Sequence, residues 1–254
     1  MELTKLEQRI LNLTKQGDVL TIENLYKLNK VLKFAAEGTI KESAFNMVKK
    51  GLLIRLKRGR YLVVKAPENY DPLLVANYLF DGYIAISSAL FVYGYDQTRS
   101  FVIWGTTSSR KRIRKIREYT YISLPMGKLT SGFTYHDGYK VSTVAKTVFD
   151  CVYNLHYLDD LKPLFDMIRE MDEKDFDEMI SYVDLAENSS FAQRIGFVLE
   201  KAGAPKYVSS ELQRRAGNSA AKLDKKAKEY INYNKKWSVF DNINIARFLD
   251  QNGR

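Results

Sequence analysis

Residues 38–64 read GTIKESAFNMVKKGLLIRLKRGRYLVV. Two hydrophobic periods meet in this stretch. Ile40, Ala44, Met47 and Val48 recur at helical spacing, whereas Leu52 to Lys57 and Arg60 to Val64 are β-rich runs around the turn Arg58-Gly59. Thr39 with Glu42 three residues on is a capping-box pattern: the hydroxyl accepts a free first-turn amide and the carboxylate reaches back. Gly51 ends the helix, because glycine adopts positive φ without steric cost. The expectation is a helix followed by a β-hairpin with a basic tip. Lys41, Ser43, Asn46, Lys49 and Lys50 lie opposite or beside the apolar stripe, and Lys57, Arg58 and Arg60 stand at the tip.

Working outward, Leu6, Ile10 and Leu13 predict a helix over 5–16, stopped by Gly17. Thr21 precedes Ile22, Leu25 and Leu28, a second short helix. Three helices and a hairpin are the order of a winged helix-turn-helix. A polar, positive helix face fits the major groove, and a basic hairpin tip reaches backbone phosphate or the minor groove. The eight residues Lys41, Ser43, Asn46, Lys49, Lys50, Lys57, Arg58 and Arg60 are therefore the expected DNA-binding set, in a domain of residues 1–66.

Charge supports a polyanionic partner. The 254-residue chain carries 40 Lys+Arg and 30 Asp+Glu, a net +10. Residues 1–65 hold 14 basic and 6 acidic side chains, while 150–200 hold 4 and 13. The acidic stretch reads as the solvated faces of three helices. Residues 99–117 hold seven basic residues and no acidic one. Within them Arg110, Lys111, Arg112, Arg114, Lys115 and Arg117 are a candidate second contact to DNA backbone, led by an exposed loop at Gly105–Ser109. The competing reading is an edge strand defended by charge.

The segment 66–72, with Pro67 and Pro72, breaks periodicity and marks a boundary. From 73 to 254 the pattern is mixed: a sheet-containing part at 73–158 and a mainly helical part at 159–254. Helices are expected at 73–80, 87–93 (capped by Ser87), 144–157, 161–171, 175–185 and 190–202. Strands are expected at 83–86, 100–104, 119–124, 133–136, 139–141 and 236–240. The fold class is α+β.

Enzyme readings find little. Met126-Gly127-Lys128-Leu129-Thr130 has the end of a phosphate loop, but Ile122 stands where the leading glycine belongs. His136-Asp137 sits at a hairpin turn with no nucleophile in sight. Asp150 beside Cys151 falls in an apolar helix, as a capping or hydrogen-bonded core acid. Glu170, Asp172 and Lys174 match a nuclease pattern only loosely. One cysteine and two histidines exclude a cysteine-rich metal site. No catalytic residue, metal or cofactor is expected. The longest charge-free apolar run, 83–95, is short of the ~20 residues a spanning helix needs, and charges at Glu2, Lys5, Glu7 and Arg9 interrupt any export signal. A cytoplasmic protein without membrane contact is expected.

Several motifs, in this order along the chain, resemble one family. Residues 51–61, GLLIRLKRGRY, look like the wing of AbiEi-type antitoxins, the regulators of abortive-infection toxin–antitoxin pairs. Residues 86–95, ISSALFVYGY, are similar to that family's serine-alanine-leucine helix ending in glycine. Residues 141–150, VSTVAKTVFD, resemble its Lys-Thr-hydrophobic-hydrophobic-Asp segment. Residues 194–200, RIGFVLE, and 233–237, YNKKW, resemble its late helix and tail. The resemblance implies a DNA-binding antitoxin of the type IV class that represses its own operon. It opposes a nucleotidyltransferase-like toxin without a lasting complex. Double-stranded DNA at its own promoter is the implied partner; the residues leave open whether a monomer or a dimer binds and whether copies bind cooperatively or independently. The competing readings are a winged-helix regulator without a toxin, an adaptor whose wing binds protein, and a DNA-targeted nuclease.

Overall fold

The computed structural model describes residues 2–33, 36–66, 69–98, 100–228 and 232–249. The boundary pair Pro67-Glu68 and Arg99 of the basic block lie outside the described residues. The chain is a mixed α+β protein that divides into two compact units, Met1–Leu79 and Phe80–Arg254.

In the first unit, α1 (Lys5–Asn12), β1 (Val19–Thr21), α2 (Ile22–Leu32) and α3 (Glu37–Lys49) precede the hairpin β2 (Leu53–Lys57) and β3 (Arg60–Val63). The strands form an antiparallel sheet of order β1-β3-β2. Strand β1 has no counterpart in the sequence analysis; its three residues are too few to show alternation. Helix α1 ends at Asn12, four residues early, with Leu13 in the cap position and about half exposed. The expected box at Thr39 and Glu42 is not the cap. Helix α3 begins at Glu37 behind Ala36, and Thr39 donates its amide to the Ala36 carbonyl inside the first turn. Ile10, Leu25, Ile40, Ala44 and Met47 meet in the core of this unit. Helix α4 (Pro72–Leu79) also belongs to the first unit and packs on β2, so the division falls after this helix.

A capping box that the sequence analysis missed does stand at α1. Thr4 Oγ1 accepts the Glu7 amide at 3.2 Å, and the Thr4 amide donates to Glu7 Oε2 at 2.7 Å. Glu7 is 1% exposed, and Lys50 Nζ donates to it at 2.6 Å. Burial pushes this carboxyl up, but the bonds from Lys50 and Thr4 outweigh it and the net shift is down. A depressed folded value stabilises above the ordinary glutamate range and is lost as pH falls through that depressed value. Glu7→Gln is therefore expected to cost about 1–3 kcal/mol at neutral pH and to flatten the acid limb of the first unit's stability. Urea unfolding of both proteins at neutral and mildly acid pH measures this; parallel acid limbs would contradict it.

The second unit opens with Tyr83–Ala85, an extended segment bonded on both sides. Ile84 bridges Gly105 on one side and Val141 on the other, so the expected strand at 83–86 is reduced to single bridges. Helix α5 (Ser87–Val92) follows. Ser87 is its first helical residue, not its cap. The cap is Ile86, a β-branched residue at φ +58 held in place by complete burial. Strands β4 (Val102–Thr107), β5 (Arg112–Ile116) and β6 (Tyr119–Pro125) form a sheet of order β4-β6-β5, with β4 parallel and β5 antiparallel to β6. The stretch expected as an exposed loop, Gly105–Ser109, is instead buried strand through Thr107; only Ser108 and Ser109 are exposed. The hairpin β7 (Phe133–His136) and β8 (Tyr139–Ser142) turns at Asp137-Gly138, as expected.

Helices α6 (Val144–Tyr153), α7 (Lys162–Glu170), α8 (Glu173–Ala186), α9 (Ser189–Ala202) and α10 (Lys206–Arg215) complete the core. Thr143 caps α6 by accepting the Lys146 amide at 3.2 Å. The last helix was not expected. Its sequence is polar, and only Val208, Ser209 and Leu212 are buried. The final part also holds a small sheet of β9 (Ala221–Lys222), β10 (Asn232–Asn234) and β11 (Val239–Asp241), where one strand at 236–240 was expected. Trp237 precedes β11 as a buried plug against α9. Among the described residues no helix is long and apolar enough to cross a membrane.

Candidate nucleic-acid interface

Helix α3 separates its faces cleanly. Ile40, Ala44 and Met47 are completely buried, and Ser43 is buried with them. Ser43 lies three residues after Ile40 and four before Met47, which puts it on the inward stripe. The sequence analysis placed it on the polar face; its side chain is not available to DNA. Lys41 and Lys49 are exposed and Asn46 is half-buried. Lys50 sits at the helix end, tied to the Glu7 carboxylate and to the Glu2 carbonyl at 3.0 Å. It braces α1 against α3.

Phe45, which the sequence analysis left unassigned, occupies the middle of the outer face and is 53% exposed. Lys49 Nζ lies 4.6 Å from its ring centroid, and Lys41 Nζ lies 5.8 Å from that of Tyr26. The spacing held the signal, because position 45 is four residues from both 41 and 49. The outer face is thus two lysines flanking an aromatic ring, with Glu42 beside them.

The β2–β3 hairpin supplies the second element. Gly59 takes φ +72 at the turn, a conformation that glycine adopts freely. The pairing shifts between Arg55 and Lys57, leaving Leu56 buried while Lys57, Arg58 and Arg60 are all exposed. The Gly59 carbonyl accepts the Ile22 amide at 3.0 Å, which ties the tip to the start of α2. A bulge and a tethered turn give the hairpin a fixed direction.

The second basic block is edge strand β5, not a loop. Alternation puts Arg112 and Arg114 on one face and Ile113 and Lys115 on the other. Arg112 pairs with Asp81 at 3.1 Å, and Ile113 is 63% exposed among the charges. Arg110 and Lys111 precede the strand and are exposed; Arg117 makes the turn to β6 at φ +53. Within the strand, Lys115 therefore faces opposite to Arg112 and Arg114.

Elsewhere, Asp150 is completely buried and ion-paired with Lys146, the core role expected of it. The Gly127-Lys128-Leu129 stretch is a short 3-10 turn whose lysine pairs with Glu187 at 2.8 Å.

No protein-family model matches the chain, and no curated protein sequence matches it. Among solved structures the chain is similar to the RV2827C protein from Mycobacterium tuberculosis. The TM-score is 0.70 at 13% identity, covering all of this chain and 96% of that one. At that identity the likeness is one of fold.

Proposed function

We propose that the chain is a DNA-binding antitoxin whose first unit is a winged helix-turn-helix. In this reading it represses its own operon and counteracts a nucleotidyltransferase-like toxin. The observation that carries the DNA-binding part is the pairing of an outward α3 face bearing Lys41, Asn46 and Lys49 with an exposed tip of Lys57, Arg58 and Arg60. A helix with side chains is about 10–12 Å across and fits a major groove about 12 Å wide. The helix reads base edges through Asn46 and Lys41, and the hairpin holds phosphate. Phe45 supplies apolar contact of the kind thymine methyl groups accept. The resemblance of residues 51–61, 86–95, 141–150 and 194–200 to AbiEi-type antitoxins supports the antitoxin part.

The test is genetic. A reporter driven by the DNA upstream of the chain's own gene is expected to be repressed by the wild type and released by Lys41→Ala with Asn46→Ala. The reading also expects a nucleotidyltransferase-like reading frame beside the chain's own gene, and co-expression of the chain is expected to restore growth of cells carrying it. Full reporter output in the presence of the wild-type chain would overturn the repressor reading. Unrelieved toxicity would overturn the antitoxin reading.

A further inference from the structure

Arg194, on α9, is 2% exposed, and its Nε and Nη2 have no hydrogen-bond partner. A buried guanidinium without acceptors is costly, so these donors point to a group the chain itself does not provide. Their surroundings say what kind. Phe191 lies under the guanidinium at 5.2 Å, and Tyr153 packs edge-on against Phe191. Lys225 Nζ stands 5.8 Å from the Tyr153 ring centroid, and its charge is close enough to Arg194 to be pushed down by it, in addition to burial. Beside it, Lys226 Nζ lies 4.9 Å from the Tyr157 ring centroid. Lys111 Nζ reaches the same ring from the segment just before β5, 3.2 Å from the Tyr157 hydroxyl.

Four cations from three distant segments thus converge on two tyrosines. Among the described residues none of the four is ion-paired. Asp224 is the acid whose charge Arg194 feels, without a hydrogen bond between them. His156, next to Tyr157, is pushed down by burial and by Lys226; Asp224 opposes the shift, and Lys111 and Lys225 add smaller downward effects. That is how a pocket with more positive than negative charge acts on a neighbouring imidazole: one acid, Asp224, stands against the four cations.

We infer that Arg194, Lys111, Lys225 and Lys226 form an oxyanion site that takes a phosphate group, free or carried by a nucleic-acid strand. A phosphate satisfies the two orphaned guanidinium donors by fork-like pairing, and the lysines neutralise its remaining charge. The site lies wholly in the second unit and does not depend on the reading of α3 and its hairpin.

The test is calorimetric titration of the full chain with inorganic pyrophosphate. The wild type is expected to bind, and Lys225→Ala with Lys226→Ala to bind at least about tenfold more weakly. Both lysines are exposed, so this variant keeps the fold. Arg194→Met is expected to lose binding as well. If it alters stability but leaves pyrophosphate affinity unchanged, the arginine is core filling and the inference fails. Only heat of dilution with the wild type also overturns it. A random DNA duplex added as competitor separates the sources: displacement of pyrophosphate assigns the site to nucleic-acid backbone, and simultaneous binding assigns it to a free phosphate or nucleotide.

Discussion

Lys146→Met is expected to destabilise the second unit by about 3–5 kcal/mol. Lys146 and Asp150 stand one helical turn apart on α6, form an ion pair, and are both completely buried. The Tyr83 hydroxyl donates to Asp150 Oδ2 at 3.2 Å. The rings of Phe149, Tyr182 and Tyr83 surround the ammonium at 4.5, 5.4 and 5.7 Å. Burial pushes the Asp150 carboxyl up and the Lys146 ammonium down, while their mutual attraction and hydrogen bond oppose both shifts. Removing the lysine leaves a carboxylate in the core with one tyrosine donor. The folded carboxyl value then rises further above its unfolded value. The variant is least impaired in acid, and its deficit grows as pH climbs through the raised folded value. Adding Asp150→Leu is expected to return most of the loss, because neither charge then has to be desolvated. Chemical denaturation of the single and double variants measures both effects; a single variant within about 1 kcal/mol of wild type would contradict the account.

The second large effect reverses a rule of helix propensity. Gly196 is interior to α9, where alanine is ordinarily better by about 1 kcal/mol. A Cβ there meets Trp237 Cζ3 at 2.1 Å. The indole cannot step aside: its Nε1 donates to Glu200 Oε2 at 3.1 Å and its amide to Asn234 Oδ1 at 3.0 Å. Gly196→Ala is thus expected to destabilise by about 2–3 kcal/mol or more, measured by thermal or urea unfolding. Gly38→Ala in α3 is the control. Nothing lies within 4 Å of its Cβ, so the propensity rule holds and a gain of about 0.5–1 kcal/mol follows. A stabilising Gly196→Ala would contradict the packing of Trp237.

Much of this structure was legible in the sequence where one period or one turn dominates. The β2–β3 hairpin declared itself through β-rich runs around Arg58-Gly59, and β7–β8 through Asp137-Gly138. Thr21 stood directly before the second expected helix, and it caps that helix. Failures occurred where local patterns are ambiguous. Thr39 with Glu42 fits a cap and equally fits the first turn of a helix already begun at Glu37. Ser43 is polar, yet its register between Ile40 and Met47 buries it. The run 110–117 looked like one basic surface, but strand alternation splits its charges between faces. The Arg194 cluster was invisible, because residues 111, 194, 225 and 226 are joined only by the tertiary fold. Lys146 and Asp150 were quoted together as a family-like segment, but their buried ion pair was missed for a related reason: a lysine in an apolar helix reads as a solvated side chain until the fold seals it with Asp150 under Tyr83.

The central claim is that α3 discriminates sequence while the hairpin tip holds backbone. Fluorescence anisotropy with the chain's own upstream duplex and a scrambled duplex, titrated over a salt series, addresses it directly. The wild type is expected to favour its own duplex by on the order of 10³ or more. Lys57→Ala, Arg58→Ala and Arg60→Ala together should weaken both duplexes and flatten the salt slope by about 2–3, at roughly 0.9 per phosphate. Lys41→Ala with Asn46→Ala should instead erase the preference between duplexes. Equal wild-type affinity for the two duplexes at every salt concentration would contradict the claim.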